Sequence, residues 1–294
     1  MYELIQVSPN DYYMDCPAKV GICRISETEA VFIDAGSDKD AAKKALRLTE
    51  GLGLTLKAVY VTHAHADHIG GCGFLQEKTG CAVYAYGREL PFTSFPFLEG
   101  MGLWGGLPLP ELENKFFLAK QSQVTPLAPG VLPKGWDILP LPGHSPDMVG
   151  FLTADGTAYV GDAVSSAETL EKYGIGYLFD PEKYLSSLSY LRSVPAARFV
   201  PAHAGTTEDI GALVELNRNA VCDVADALTE YCEMPLTFEE LLTLTFHRYG
   251  LTLNAGQYAL IGSTVRSYLT ALYRQGKIAP VYADGRMLWQ SGGC

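Results

Sequence analysis

No stretch of this 294-residue chain approaches the ~20 consecutive apolar residues that a bilayer-crossing helix needs. The opening residues, Met1-Tyr2-Glu3-Leu4-Ile5-Gln6-Val7, lack the basic and then apolar pattern of a secretory signal. The expectation is a soluble, cytoplasmic protein with no membrane partner. CxxC pairs are absent as well. The seven cysteines (Cys16, Cys23, Cys72, Cys81, Cys222, Cys232, Cys294) are odd in number and fit a reducing compartment, where they act as small buried hydrophobes. Cys72 is read as a packing residue on a helix rather than a metal ligand, and Cys294 as the cysteine expected to be exposed. Positive charge is scarce: 22 Lys and Arg stand against 33 Asp and Glu, a net charge of −11. That balance argues against general affinity for nucleic acid and leaves room only for a local basic patch.

Histidine is scarce too, yet three of the six fall in Thr62-His63-Ala64-His65-Ala66-Asp67-His68-Ile69-Gly70-Gly71. This stretch follows the apolar run Ala58-Val59-Tyr60-Val61, a strand that delivers it at a strand end. His63 and His65 are two apart, so on extended backbone both imidazoles project to one side. Asp67 and His68 follow at the turn into a helix, and Gly70-Gly71 removes side chains where that helix must pass close to the strands. One motif therefore supplies ligands to two adjacent metals rather than four ligands to one. Further candidates sit at other strand ends: His144 after Gly143, Asp162 after Gly161, and His203. An aspartate can bridge two cations with its two oxygens. Nitrogen and oxygen donors without thiolate suit zinc first, with manganese or iron as alternatives. His247 stands apart and is read as an ordinary surface or core group.

Periodicity sketches the frame around these residues. Strands are expected over 20–25 and 30–34, then a helix capped by Ser37 or Asp38 to about Glu50, burying Ala41, Ala45 and Leu48. A helix from Ile69 to about Thr79 and a strand over 82–86 follow the histidine motif. Residues 91–110 break the rhythm with Phe, Gly, Pro, Leu and Trp104. This insert, about 87–118 in full, is too apolar for a linker and is either a lid over a pocket or an oligomer surface. Strands return over 136–141, 149–153, 158–160 and 198–200, with helices over 181–191 and 209–231. Beyond Pro235 the tail reads as a small separate unit. It has a helix opened by the capping box Thr237-Phe238-Glu239-Glu240, a second helix near 257–274, and two strands flanking the turn Ala283-Asp284-Gly285. Helices followed by a hairpin outline a winged helix.

The order HxHxDH, Gly-His, Gly-Asp and a late His resembles that of the metallo-β-lactamase-fold hydrolases over roughly residues 1–205. The resemblance implies an α+β fold, a four-layer αββα sandwich over 1–208, followed by a helical connection over 209–235 and a winged-helix-like domain over 236–294. It implies that His63, His65 and His144 bind one metal and Asp67, His68 and His203 a second, with Asp162 bridging. Asp34 matches the family's early strand-end aspartate, which supports the histidine loop from behind; read alone, it could cap a helix. Paired cations lower the pKa of a shared water toward ~7 and stabilise a developing oxyanion, so hydrolysis by direct water attack is implied, with Asp67 orienting the hydroxide and carrying a proton. By analogy with lactonases of this fold, Tyr173 or Tyr177 could donate to the oxyanion or leaving group, although packing alone also accounts for each.

Within the superfamily, His65 argues against flavodiiron proteins, which place glutamate there. The tail differs from the glutathione-binding helical domain of the glyoxalase II-like group. Through Leu272-Tyr273-Arg274-Gln275-Gly276-Lys277-Ile278 and the hairpin it resembles the winged-helix extension of the β-lactamase-like-protein-2 group, some of whose members are endoribonucleases. The favoured reading is a hydrolase of a small-molecule thioester, ester or lactone, with Trp104 in the substrate wall and a homodimer as the default assembly. One alternative is an endoribonuclease or nucleic-acid-binding protein using Arg248, Arg266, Arg274, Lys277 and Arg286; another is a mono-iron sulfur dioxygenase. A basic groove from Arg274 and Lys277 to the metals would favour the nucleic-acid reading. An apolar pocket walled by residues 91–118 would favour the hydrolase.

Overall fold

A computed structural model of the chain describes residues 2–292, so Cys294 lies outside the described residues. The first four strands, β1 (Glu3–Gln6), β2 (Asp11–Asp15), β3 (Val20–Arg24) and β4 (Glu29–Ile33), form an antiparallel meander. Helix α1 (Lys39–Gly51) crosses over to β5 (Thr55–Tyr60), which pairs parallel with β4. Two short helices, α2 (Ala66–Ile69) and α3 (Cys72–Thr79), lead to β6 (Ala82–Ala85). Helices α4 (Glu89–Ser94) and α5 (Phe97–Trp104) precede β7 (Thr125–Pro126), and the seven strands lie in sequence order in one mixed sheet.

The second sheet runs β11-β10-β9-β8, from β8 (Asp137–Pro140), β9 (Val149–Leu152), β10 (Thr157–Ser165) and β11 (Arg198–His203). Helices α6 (Ala167–Tyr173) and α7 (Pro181–Leu191) connect β10 to β11, which pair in parallel. Helix α8 (Gly211–Tyr231) follows.

The period of two along each strand builds the layers. Tyr13, Val31, Ile33, Tyr60, Phe151, Tyr159 and Val200 meet between the two sheets. Their neighbours Met14, Phe32 and Val59 face the other way, against Ala41 and Ala45 of α1 and Leu75 of α3. On the far side Ala158 and Val160 pack with Leu188 of α7 and Val221 of α8. The result is the αββα sandwich expected from the resemblance.

Asp38 caps α1 by accepting from the backbone N–H of Asp40 and Ala41. The inner face of that helix is Ala41, Ala42, Ala45, Leu46 and Thr49, so Leu46 takes the buried place expected for Leu48. The helix expected from Ile69 is broken into α2 and α3. At Gly70 an added Cβ would stand 2.2 Å from the carbonyl oxygen of Ser37, and at Gly71 2.3 Å from that of Ala35. The chain passes too close to its neighbour there for a side chain, and it bends. Strand β10 is longer than its apolar core suggested, because its pairing with β11 slips twice, between Tyr159 and Gly161 and between Gly161 and Ser165. Asp162 therefore sits in an irregularity within the strand rather than after it.

The tail contains α9 (Phe238–Arg248), α10 (Ala255–Arg274) and a three-stranded sheet in the order β12-β14-β13, from β12 (Leu236–Thr237), β13 (Ile278–Ala283) and β14 (Arg286–Ser291). Thr237 and Glu240 close the capping box, and Asp284 and Gly285 both take positive φ (51° and 71°) in the hairpin turn. Leu241, Phe246, Ile261, Val265, Tyr268 and Leu272 of the tail join the cluster that holds Val160, Leu188 and Val221. Periodicity shows that a helix has an apolar face but not what it will meet. Among the described residues no helix is long and apolar enough to cross a membrane.

Candidate metal centre

The loop after β5 carries His63 and His65, and the single turn of α2 carries Asp67 and His68. His144 stands in the loop between β8 and β9, Asp162 in the irregular part of β10, and His203 at the last residue of β11. These segments converge at one edge of the sandwich. The donor atoms of His63, His65 and His144 lie within 4.8 Å of one another; so do those of Asp67, His68 and His203, and those of His63, His68 and Asp162. The last group shares one residue with each of the others and joins them into one cluster.

His144 depends on a tight local turn. Gly143 has φ of 130°, and an added Cβ there would lie 2.2 Å from the backbone nitrogen of Tyr184 in α7. Only glycine allows the loop to lie against that helix. The Nδ1–H of His144 then donates to the carbonyl of Tyr177 at 3.0 Å, which leaves its Nε2 facing Nδ1 of His65 at 2.9 Å.

Asp34 orders the other side. It is 2% exposed and takes left-handed backbone (φ 63°), a conformation aspartate tolerates better than most residues. Its Oδ1 accepts from the Thr62 N–H at 2.7 Å, and its Oδ2 accepts from the Thr62 hydroxyl and from Nδ1–H of His68, each at 2.8 Å. Because the Thr62 proton points at Asp34, the Thr62 oxygen accepts from Nδ1–H of His63 at 3.0 Å. One carboxylate thus sets the ring orientation of two histidines and aims both Nε2 atoms into the cluster. Asp34 does not cap a helix.

Burial, and then the neighbouring imidazoles, push His63 and His65 down, His65 to about 3, and burial pushes His144 down too; these three rings are neutral. Burial opposes charge on His68 and His203 as well, but nearby carboxylates outweigh it. Asp162, Asp67 and Asp34 hold His68 well above its ordinary value, and Asp162 and Asp67 hold His203 at about 10. Burial likewise opposes ionisation of Asp67 and Asp162, yet the adjacent His68 and His203 keep both carboxyls below the usual range. The cluster demands positive charge beside these carboxylates, which a proton or a metal cation can supply.

Three buried atoms decide in favour of a cation. Nε2 of His63, Nε2 of His68 and Oδ1 of Asp162 have no hydrogen-bond partner. His68 Nε2 and Asp162 Oδ1 are 3.1 Å apart, out of hydrogen-bonding alignment. A buried polar atom left alone costs about 1–3 kcal/mol, and a divalent cation between these donors would satisfy all three. The residues fit such an ion.

Of the expected substrate residues, Tyr177 is at the site. Its ring packs edge-on against His65 and His144, with centroids 5.1 and 5.8 Å away. Trp104 shares a cluster with Tyr177, where these two and Phe117 pack around Leu103, Leu112 and Ala259. The inner side of the insert therefore lies against α10 and Tyr177. Tyr173 does not share this packing. It is 47% exposed at the end of α6, and Lys172 lies over its ring and donates to its hydroxyl. His247 is exposed on α9, and Cys72 is buried in the core with its thiol pushed up by burial. Two further residues of the site go unassigned in the sequence. Thr62 opens the histidine motif without an evident role, and the buried Glu89 carries only the local signal of an acidic helix start.

The Metallo-beta-lactamase superfamily matches this chain over residues 16–203. A hydroxyacylglutathione hydrolase from Albidiferax ferrireducens is 29% identical over 212 residues, 70% of this chain and 68% of the relative. A probable metallo-hydrolase from Bacillus subtilis is 28% identical over 152 residues, 52% of this chain and 66% of the relative. The chain thus spans about two thirds of each of these relatives. Among solved structures, a metallo-beta-lactamase family protein from Thermus thermophilus aligns over 98% of this chain and 97% of its own, with a TM-score of 0.73 at 19% identity. A beta-lactamase domain protein from Burkholderia ambifaria aligns over 98% and 93%, with the same TM-score at 18% identity. These last two show the fold. With a family match that takes in every residue of the cluster from His63 to His203, the chain belongs to the metallo-beta-lactamase superfamily and is a metallo-hydrolase.

Proposed function

We propose that this protein is a two-metal hydrolase of small acyl compounds, thioesters first and esters or lactones next. The joined donor groups carry the reading: Asp162 completes a set with His63 and His68, one residue from each of the two flanking groups. His63, His65 and His144 would hold one cation and Asp67, His68 and His203 the other, with Asp162 between them. Zinc suits these donors best, with manganese or iron as alternatives. Bound there, two divalent cations supply a water that ionises near neutral pH and positive charge for the oxygen of the acyl group under attack.

The chain's own groups orient and move protons. The Asp67 side chain is 43% exposed, against 11% for Asp162, so it is the carboxylate of the cluster that faces incoming water. It accepts a hydrogen bond from the attacking water, takes its proton and holds it for the leaving group. Tyr177 walls the histidines, and burial pushes its phenol far up, so it stays a neutral donor for the oxyanion or leaving group.

The surroundings support a small acyl substrate over nucleic acid. Leu103, Trp104, Leu112 and Phe117 form an apolar cluster with Tyr177, whose ring packs against His65 and His144. In the tail, Arg248 pairs with Asp223 and Glu230, and Arg266 stacks on Phe238 at 3.8 Å. The hydroxyacylglutathione hydrolase relative puts thioesters first in the screen.

Elemental analysis of protein purified without added metal, followed by turnover of thioester, lactone and phosphodiester panels, tests the proposal. Two equivalents of metal with acyl turnover would support it. One equivalent of iron with sulfur oxidation would replace it by the dioxygenase reading, and turnover of phosphodiesters alone by the nuclease reading.

A further inference from the structure

Glu89 is 1% exposed at the first position of α4, and no residue of the metal cluster is near it in sequence. Its carboxylate has three partners. Oε2 accepts from the backbone N–H of Ala64 at 2.9 Å. Oε1 accepts from the hydroxyl of Ser145 at 2.8 Å and from the backbone N–H of Asp147 at 2.9 Å. Ala64 lies between His63 and His65, and Ser145 follows His144. One buried carboxylate therefore ties the loop of the first two histidines to the loop of the third, from opposite sheets of the sandwich. Backbone pairing joins the same segments at Val149 N–H to Thr62 O, 3.0 Å. Beyond that bond, the 2.9 Å approach of His65 and His144 depends on loops that Glu89 holds together.

A surface link, Arg88 Nε to Asp147 Oδ2 at 2.8 Å, spans the same gap from α4 to the His144 loop but is exposed.

We infer that Glu89 is a positioning residue for the three-histidine metal site: it sets the separation of the His63–His65 loop from the His144 loop and so selects the affinity of that site over its neighbour. The inference rests on the two-metal reading above. In Glu89→Gln the shape is kept, but the amide can offer one oxygen only, so a backbone N–H of Ala64 or Asp147 faces an NH2 group. That conflict loosens one loop while leaving the other site's ligands untouched.

The test is titration of metal-stripped protein with Zn2+ against a chromophoric chelator, and with Co2+ followed by its visible absorption. Wild type should take two equivalents. Glu89→Gln should keep one at wild-type affinity and bind the other roughly 10–100-fold more weakly, the scale for partners behind a metal ligand, with the cobalt bands of the imidazole-rich site reduced. Ser145→Ala removes one of the three links without stranding a backbone donor, and should weaken the same equivalent by less. Arg88→Ala, which cuts the surface link, should change neither. Two equivalents at unchanged affinity in Glu89→Gln would overturn the inference, as would equal weakening of both sites. If Glu89→Gln does not fold, Ser145→Ala decides on the same criterion. A wild type that takes fewer than two equivalents would instead remove the two-metal reading, and this inference with it.

Discussion

Oδ2 of Asp34 lies 2.8 Å from Nδ1 of His68, 34 residues away, and the same oxygen receives the hydroxyl of Thr62, which in turn holds His63. The two histidines that flank Asp162 are therefore oriented by one buried carboxylate on the Nδ1 side of the His68 ring, away from its Nε2. Asp34→Asn tolerates the left-handed backbone and removes an acceptor. It should lower metal affinity roughly 10–100-fold, read by chelator competition, while circular dichroism stays that of the wild type. Unchanged affinity would show that Thr62 and packing alone orient the rings.

Tyr177 and Tyr173 separate cleanly. Tyr177 touches His65 and His144, whereas Tyr173 is half-exposed beside Lys172. Tyr177→Phe should lower kcat by roughly a hundredfold, the low end of the range for loss of a proton donor, with metal content unchanged. Tyr173→Phe should leave kcat and KM as they are. Full turnover in both variants would leave Tyr177 as a wall only.

Trp104 packs with Tyr177 and stands 6.0 Å from the ring of Tyr258 on α10. Trp104→Ala should raise KM for substrates with an apolar acyl group more than it lowers kcat, the pattern of lost uniform binding. A loss confined to kcat would move Trp104 from the wall to the chemistry. An unchanged KM would place the substrate elsewhere.

Alkaline stability should register Tyr60. Its hydroxyl donates to the carbonyl of Val131, and burial raises its pKa to about 12. A raised phenol pKa means that the folded state binds the proton more tightly than the unfolded state. The contribution is thus whole below the unfolded value near 10 and is lost as pH rises from there through about 12. At ~1.4 kcal/mol per unit it is on the order of 2–3 kcal/mol. Wild type should lose stability over this window in denaturant titrations, and Tyr60→Phe, less stable at neutral pH, should lose less across it. Parallel pH profiles would rule out Tyr60 as the source.

Much of this protein was legible residue by residue. The spacing of His63, His65, Asp67 and His68 already states that extended backbone turns into a helix with donors on one side. The apolar run Ala30-Val31-Phe32-Ile33 marks a strand, and it is β4. Capping chemistry at Asp38 and Thr237, and the Asp284-Gly285 turn, are local preferences satisfied by neighbours within a few residues, and each appears in the structure where the local chemistry placed it.

Contacts between distant segments were not legible, because a sequence records what a side chain can do and not what it will meet. The break between α2 and α3 comes from the carbonyls of Ser37 and Ala35 pressing on Gly70 and Gly71. Asp162 lies inside β10 because pairing with β11 slips beside it. The apolar faces of α9 and α10 found the outer layer of the sandwich instead of each other alone. Glu89 is the clearest case. In sequence it is one acidic residue at a helix start, and only folding brings Ala64, Ser145 and Asp147 to its carboxylate. The sequence by itself determined which atoms could hold metal and on what local backbone. The tertiary structure decided which of them share a site and what holds them there, because those distances are set by packing between segments far apart in the chain.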